Sequence, residues 1–211
     1  MPTLALAALL LLQQPTSSRV LFDGRTLDGW TPTDFRNAGA VAVEEGAILM
    51  RAGRALTGIT TTRDDLPTLD YELTYEAKRL DGRDFFAAAT FPVGRKFLTL
   101  VNGGWGGTVT GLSSLDGADA SENETMTSPR YENGRWYRFR VWVTKDRVLA
   151  WIDDKPVIDV THKGRDLRTR LEVRANQPLG FATWESTGAV RAIAVRPLAE
   201  EEIAALPAKD D

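Results

Sequence analysis

Cysteine is absent from the 211 residues, and histidine occurs once, as His162. Without a thiol, disulfide scaffolds, Cys-based zinc sites, Cys nucleophiles and a lipoprotein anchor are all excluded. A single imidazole excludes sites that need several. In "DVTHKGRD", His162 reads as a solvated residue in a surface turn after a strand. An excess of either charge is missing too. The 26 Lys and Arg stand against 29 Asp and Glu, a net of -3. That balance argues against a nucleic-acid partner and against a disordered acidic tail. The apolar run from Leu4 to Leu12 is too short to span a bilayer. It suits the apolar part of a signal peptide, although no Lys or Arg precedes it and no small-x-small site follows. Residues 1–18 are therefore expected to be a leader, and the mature protein to be exported without a membrane anchor. An ordinary apolar helix is the alternative.

What is present is a β pattern. The chain is 43% hydrophobic, enough for one filled core. From Val20 onward it alternates short apolar runs with turn signals. "LDYELTYEAK" puts Tyr71, Leu73, Tyr75 and Ala77 on one face and Glu72, Thr74, Glu76 and Lys78 on the other. "AVAVEEGAILMRAG" is a hairpin around Glu45-Gly46, and "DFFAAATFPVGRKFLTLVNGG" two strands around Pro92–Gly94. About a dozen such strands, with turns at roughly 8–12-residue spacing, predict an all-β, two-sheet antiparallel sandwich. One domain is expected over residues 19–200, with a short tail at 201–211. The segment from Gly103 to Asn133 is the exception, a long polar loop in which only "TVTGL" resembles a strand.

"RWYRFRVWV" splits with period two. Tyr137, Phe139, Val141 and Val143 form a core row. Trp136, Arg138, Arg140 and Trp142 form the other. That second row either lines a groove, where Trp stacks on sugar rings and Arg donates to their oxygens, or packs Arg on Trp at a solvent face. "NGGWGG", Asn102 to Gly107, surrounds Trp105 with glycines that let backbone and ligand approach closely. Alternatively it is a bulged turn plugging the sandwich end. "Ser121-Glu122-Asn123-Glu124" reads as a solvated polar cluster, and Asn123 also fits a glycosylation acceptor.

"LFDGRTLDGW" resembles the opening signature of the 3-keto-disaccharide hydrolase domain family. "VEEGAILMRAG", "LTGITTTRDDLPTLDYELTYEAK", "ENGRWYRFRVWVTKDRVLAWIDDKPVIDV" and "AIAVRPL" follow in the family's order, so the resemblance spans Val20 to Leu198. It implies a concanavalin-A-like jelly roll with a groove on its concave side, export and a carbohydrate ligand. It also implies chemistry on glycosides oxidised at C3. The ketone acidifies the C2 proton, a base removes it, and the enolate expels the C1 substituent. A cationic side chain, or a divalent metal on oxygen ligands, would stabilise the oxyanion.

Where many members carry a Gln-Asp-His-like segment, this chain has "FATWEST". The resemblance thereby points to Glu185 as general base, with Trp184 beside it, to Asp84 as a polar group at a strand start, and to Trp136 near the groove. The expected site joins Glu185 with Trp105, Trp136, Arg138, Arg140, Asn102, Asp84 and Trp184 on one concave surface. An enzyme on 3-keto-glycosides, a carbohydrate-binding module that has lost the chemistry, and a sandwich whose aromatics merely pack are the three readings. The protein is expected to act as a monomer.

Overall fold

The computed structural model describes residues 17–209. The expected leader lies, up to residue 16, outside the described residues. In chain order the strands are β1 Arg19–Val20, β2 Trp30–Pro32, β3 Val41–Glu44, β4 Ala47–Met50, β5 Leu56–Thr61, β6 Tyr71–Asp81 and β7 Ala88–Val93. Then come β8 Lys96–Gly103, β9 Val109–Ser113, β10 Trp136–Val143, β11 Arg147–Ile152, β12 Lys155–Thr161, β13 Gly180–Trp184 and β14 Thr187–Pro197. They make two antiparallel sheets. The larger runs β12-β11-β10-β6-β14-β4-β3, with β1 also on β14; the smaller runs β2-β5-β13-β7-β8-β9. The expected two-sheet sandwich is the observed fold.

Alternation puts one row of each strand between the sheets. Tyr71, Leu73, Tyr75, Tyr137, Phe139 and Val141 are all buried there, as the sequence predicts. β6 and β10 pair in register, with Phe139 opposite Tyr75 and Tyr137 opposite Ala77. The Tyr75 and Phe139 rings stack at 4.9 Å. Phe181, from the smaller sheet, meets Tyr75 edge-on at 4.9 Å. The Tyr71 hydroxyl crosses the core to donate to the Pro92 carbonyl at 2.8 Å.

The opposite row of β10 holds Trp136, Arg138, Arg140 and Trp142. They lie on the outer face of the larger sheet. Trp136 packs on Ala47, Leu49 and Ala189, with Lys78 Nζ 4.7 Å and Arg191 Cζ 4.0 Å from its ring. Arg140 sits 4.2 Å over Trp151, and Trp142 Nε1 donates to Glu72 at 2.7 Å. Arg138 pairs with Asp154. These groups hold one another as cross-strand and diagonal neighbours.

His162 corrects an expectation as well. It is buried rather than solvated, with Nε2 2.9 Å from the Thr144 carbonyl. After β12 the chain turns inward, and its backbone N–H also binds the Asp146 carbonyl. Asn123 likewise serves the loop it sits in: Nδ2 donates to the carbonyls of Leu112, Ala118 and Asp119.

Leu73 is fully buried at the centre of the larger sheet. Leu73→Ala is expected to cost about 2–5 kcal/mol in urea unfolding. A loss below about 1 kcal/mol would mean that the intersheet core is not the stabilising element.

Candidate functional site

The outer face of the smaller sheet carries the cleft. Three rows of side chains run across its strands. The middle row is small apart from Val101: Gly58 pairs with Ala182, Ala182 with Ala88, and Val101 with Gly111. On one side a row of mostly hydroxyl residues follows the same register, Thr60, Gly180, Thr90, Thr99 and Ser113. On the other side Trp184 pairs with Leu56. A low floor between taller flanks is a trough. The resulting cleft of about 260 Å³ is lined by Leu56, Phe85, Ala88, Val101, Val173 and Trp184, with Asp84, Trp105, Thr99, Ser113, Arg170 and Glu172. Both ends of the row are blocked: Phe35 stands over Gly58, and Ala120 over Gly111.

Trp105 stands on this cleft on a strained turn. Its φ of 50° and ψ of 52° lie in the left-handed region, between Gly103, Gly106 and Gly107, which share positive φ. That region costs a bulky residue energy, which the surroundings must supply. Asp84 supplies part of it: Oδ2 accepts the Gly106 N–H at 2.7 Å, and Oδ1 accepts the Phe85 N–H at 2.8 Å. Gly107 has to be glycine, since a Cβ there would sit 2.7 Å from the Arg83 carbonyl oxygen. Trp105 is nonetheless 42% exposed, a large apolar surface held out to solvent. Phe85 and Trp184 lie 6.4 Å apart and complete an aromatic wall.

Behind this wall lies Arg79, buried and hydrogen-bonded to neutral acceptors. It donates to the Asp84 carbonyl at 3.3 Å, the Tyr131 carbonyl at 2.9 Å and the Asn133 side chain. Burial lowers its pKa from the usual guanidinium value, and the nearby phenols and Asp84 oppose that shift.

The facing wall is polar. Arg170 donates through Nη1 to Asp119 and through Nη2 and Nε to Glu172, at 3.0 and 3.4 Å. Asp119 Oδ1 in turn accepts the hydroxyls of Ser113 and Ser114 at 3.1 and 2.8 Å. The hydrogen bond with Glu172 raises the Arg170 pKa, and the same bond lowers that of Glu172.

Asp84, Trp105 and Trp184, three of the residues expected at the site, are therefore together. The others are not. Trp136, Arg138 and Arg140 belong to the far sheet, so the expected convergence of Trp105 with Trp136 does not occur. Asn102 alternates with Val101 and so points between the sheets, fully buried, with neither side-chain polar atom hydrogen-bonded. Glu185 occupies an exposed turn at φ 43°, where its N–H binds the Ala55 carbonyl, and it does not line the cleft. Sequence reading missed Arg170, Glu172 and Phe85. "RTRLEVRAN" carries no motif, and a 3₁₀ turn over Leu171–Asn176 brings it to the sheet.

Among the described residues no group of three or more His, Asp or Glu could hold a metal ion. The cleft contributes only Asp84 and Glu172, both already hydrogen-bonded. The donor set does not fit a protein-held metal.

The family described as 3-keto-alpha-glucoside-1,2-lyase-like domain matches residues 17–196. The chain belongs to this family. No curated protein sequence matches it. Among solved structures, it is similar to carbohydrate-binding module CBM66 from Bacillus subtilis, with TM-score 0.53 and 15% identity over 80% of this chain and 95% of that one. Domain 4 of AbnA, a GH43 extracellular arabinanase from Geobacillus stearothermophilus solved with arabinotriose, gives TM-score 0.55 and 14% identity over 89% and 95%. A putative glycosyl hydrolase from Parabacteroides distasonis gives 0.51 and 15% over 86% and 94%. At these identities the likeness is one of fold. Among the described residues no helix is long and apolar enough to cross a membrane.

The loop from Ser113 to Thr127 forms part of the polar wall, and acid should loosen it. Asp116 accepts the Asp166 N–H and Arg165 Nε, and Glu124 pairs with Arg165. The Asp166 N–H chiefly lowers the Asp116 pKa; Arg165 lowers that of Glu124. Carboxyls held low when folded stabilise the fold above their unfolded pKa and cease to do so as pH falls through the folded values. The melting temperature is expected to be level near neutrality and to fall below about pH 4. Asp116→Asn should flatten that acid limb, and an unchanged limb would remove Asp116 from the account.

Proposed function

We propose that the protein is a carbohydrate-binding member of its family and that the cleft on the smaller sheet holds the sugar. The observation that carries this reading is Trp105, exposed in a strained turn that Asp84 fastens, at the edge of a cleft with an aromatic wall on one side and hydrogen-bonding groups on the other. A sugar ring has the matching surfaces, C–H faces for the aromatics and hydroxyls for the polar wall. That one similar fold is a carbohydrate-binding module, and another was solved with arabinotriose, supports the same class of ligand. Export after loss of residues 1–18 belongs to this proposal.

A second reading rests on Asp84. It places a carboxylate beside Trp105, within the cleft of a chain whose family description names a 1,2-lyase. In that reading Asp84, rather than Glu185, takes the C2 proton of a 3-keto-glycoside. The electron pair then forms the enolate and expels the C1 substituent.

Calorimetry with methyl glucoside and its 3-keto derivative is expected to show binding. Trp105→Ala and Trp184→Ala should each weaken it by about 1–3 kcal/mol, the worth of one aromatic stacking platform by analogy with bases. Wild-type binding of neither sugar overturns the proposal. Turnover of the 3-keto sugar that Asp84→Asn abolishes, with sugar binding kept and circular dichroism unchanged, would establish the lyase; wild-type binding without turnover leaves the module.

A further inference from the structure

The polar wall carries its own information about the ligand. Arg170 has five N–H donors, and the bonds to Asp119 and Glu172 use three of them. One N–H on each terminal nitrogen remains for a ligand. The guanidinium is gripped from two sides, and Asp119 is itself held by the Ser113 and Ser114 hydroxyls. It is thus a preorganised donor, not a mobile charge.

Its charge is already answered. Along the cleft one cation, Arg170, stands with two carboxylates, Asp84 and Glu172. Adding Asp119 and the buried Arg79 behind the aromatic wall leaves the same net of one negative charge. A wall that offers N–H groups without net positive charge suits an uncharged oxygen. It disfavours a carboxylate, which would meet Glu172 and Asp119 beside the donor.

On the reading that the cleft binds a sugar, we propose that Arg170 is its specificity-determining residue, donating to a ketone or hydroxyl oxygen and excluding carboxylated sugars. Sequence reading gave Arg170 no role. Its two carboxylate partners make it selective rather than merely attractive.

The test compares methyl glucoside, methyl 3-keto-glucoside and methyl glucuronide by calorimetry on the full chain. The neutral sugars are expected to bind at least about tenfold more tightly than the glucuronide, the size of one charged hydrogen-bond group gained or repelled. Glu172→Gln and Asp119→Asn should narrow that gap by improving glucuronide binding. Arg170→Met should lower neutral-sugar affinity about tenfold, with Arg170→Lys recovering only part of it. Near-ultraviolet circular dichroism reports whether each variant keeps its fold. Wild-type preference for the glucuronide, or neutral-sugar affinity unchanged in folded Arg170→Met, overturns the role of Arg170 and leaves the sugar-binding cleft standing. If no sugar of the three binds the wild type, the carbohydrate reading itself fails and this inference falls with it.

Discussion

The structure depends on aromatic packing between its two sheets. Tyr75 lies flat on Phe139 within one sheet and takes the edge of Phe181 from the other. Trp30 extends the contact to Phe181 at 5.9 Å and ties its indole N–H to the Leu21 carbonyl. Offset and edge-on rings of this kind gain about 0.5–1.5 kcal/mol beyond the area they bury, and they fix distance as well as energy. Because the inward rows supply this contact, the outward rows are free to differ. One sheet uses its outer row for Trp, Arg, Lys and Glu in mutual contact. The other uses it for small and hydroxyl residues, and so makes a cleft.

The cleft is built from two kinds of constraint. Its floor is geometric, because side chains in register across five strands share a height. Its walls are electrostatic. A carboxylate at Asp84 fastens the turn that presents Trp105, and carboxylates at Asp119 and Glu172 fix Arg170 opposite. Strand residues such as Thr99, Ser113 and Trp184 contribute to both walls, but Trp105 and Arg170 do not lie on the regular part of a strand. The tryptophan comes from a turn after β8, and the arginine from the segment leading into a 3₁₀ turn, so loops hold these two groups over the cleft while the sheet supplies the bench.

How much of this the sequence discloses follows from range. Alternation is local, so the buried rows of β6 and β10 were legible, and with them the sandwich. Trp105 was legible because glycines around a tryptophan are a local oddity. The side of the sandwich was not. Period two says that Trp136 opposes Tyr137; it cannot say whether that outer face meets a ligand or a neighbouring arginine. Arg170 and Glu172 were invisible for the same reason, since their meaning arises only where Asp119 and Ser113 approach from 50 or so residues away. His162 misled because a short polar turn in sequence gave no hint that its imidazole folds back under Thr144.

The small-residue floor has a bearing on how such a cleft can change. Ala88 and Ala182 face away from the intersheet aromatics, although they sit in the same strands. Enlarging Ala88, which lines the cleft, subtracts volume from a space of about 260 Å³ without asking Tyr75, Phe139 or Phe181 to move. The room in the cleft and the packing between the sheets are thereby written in alternate letters of the same strands. Descendants of this fold can revise one text and leave the other unread.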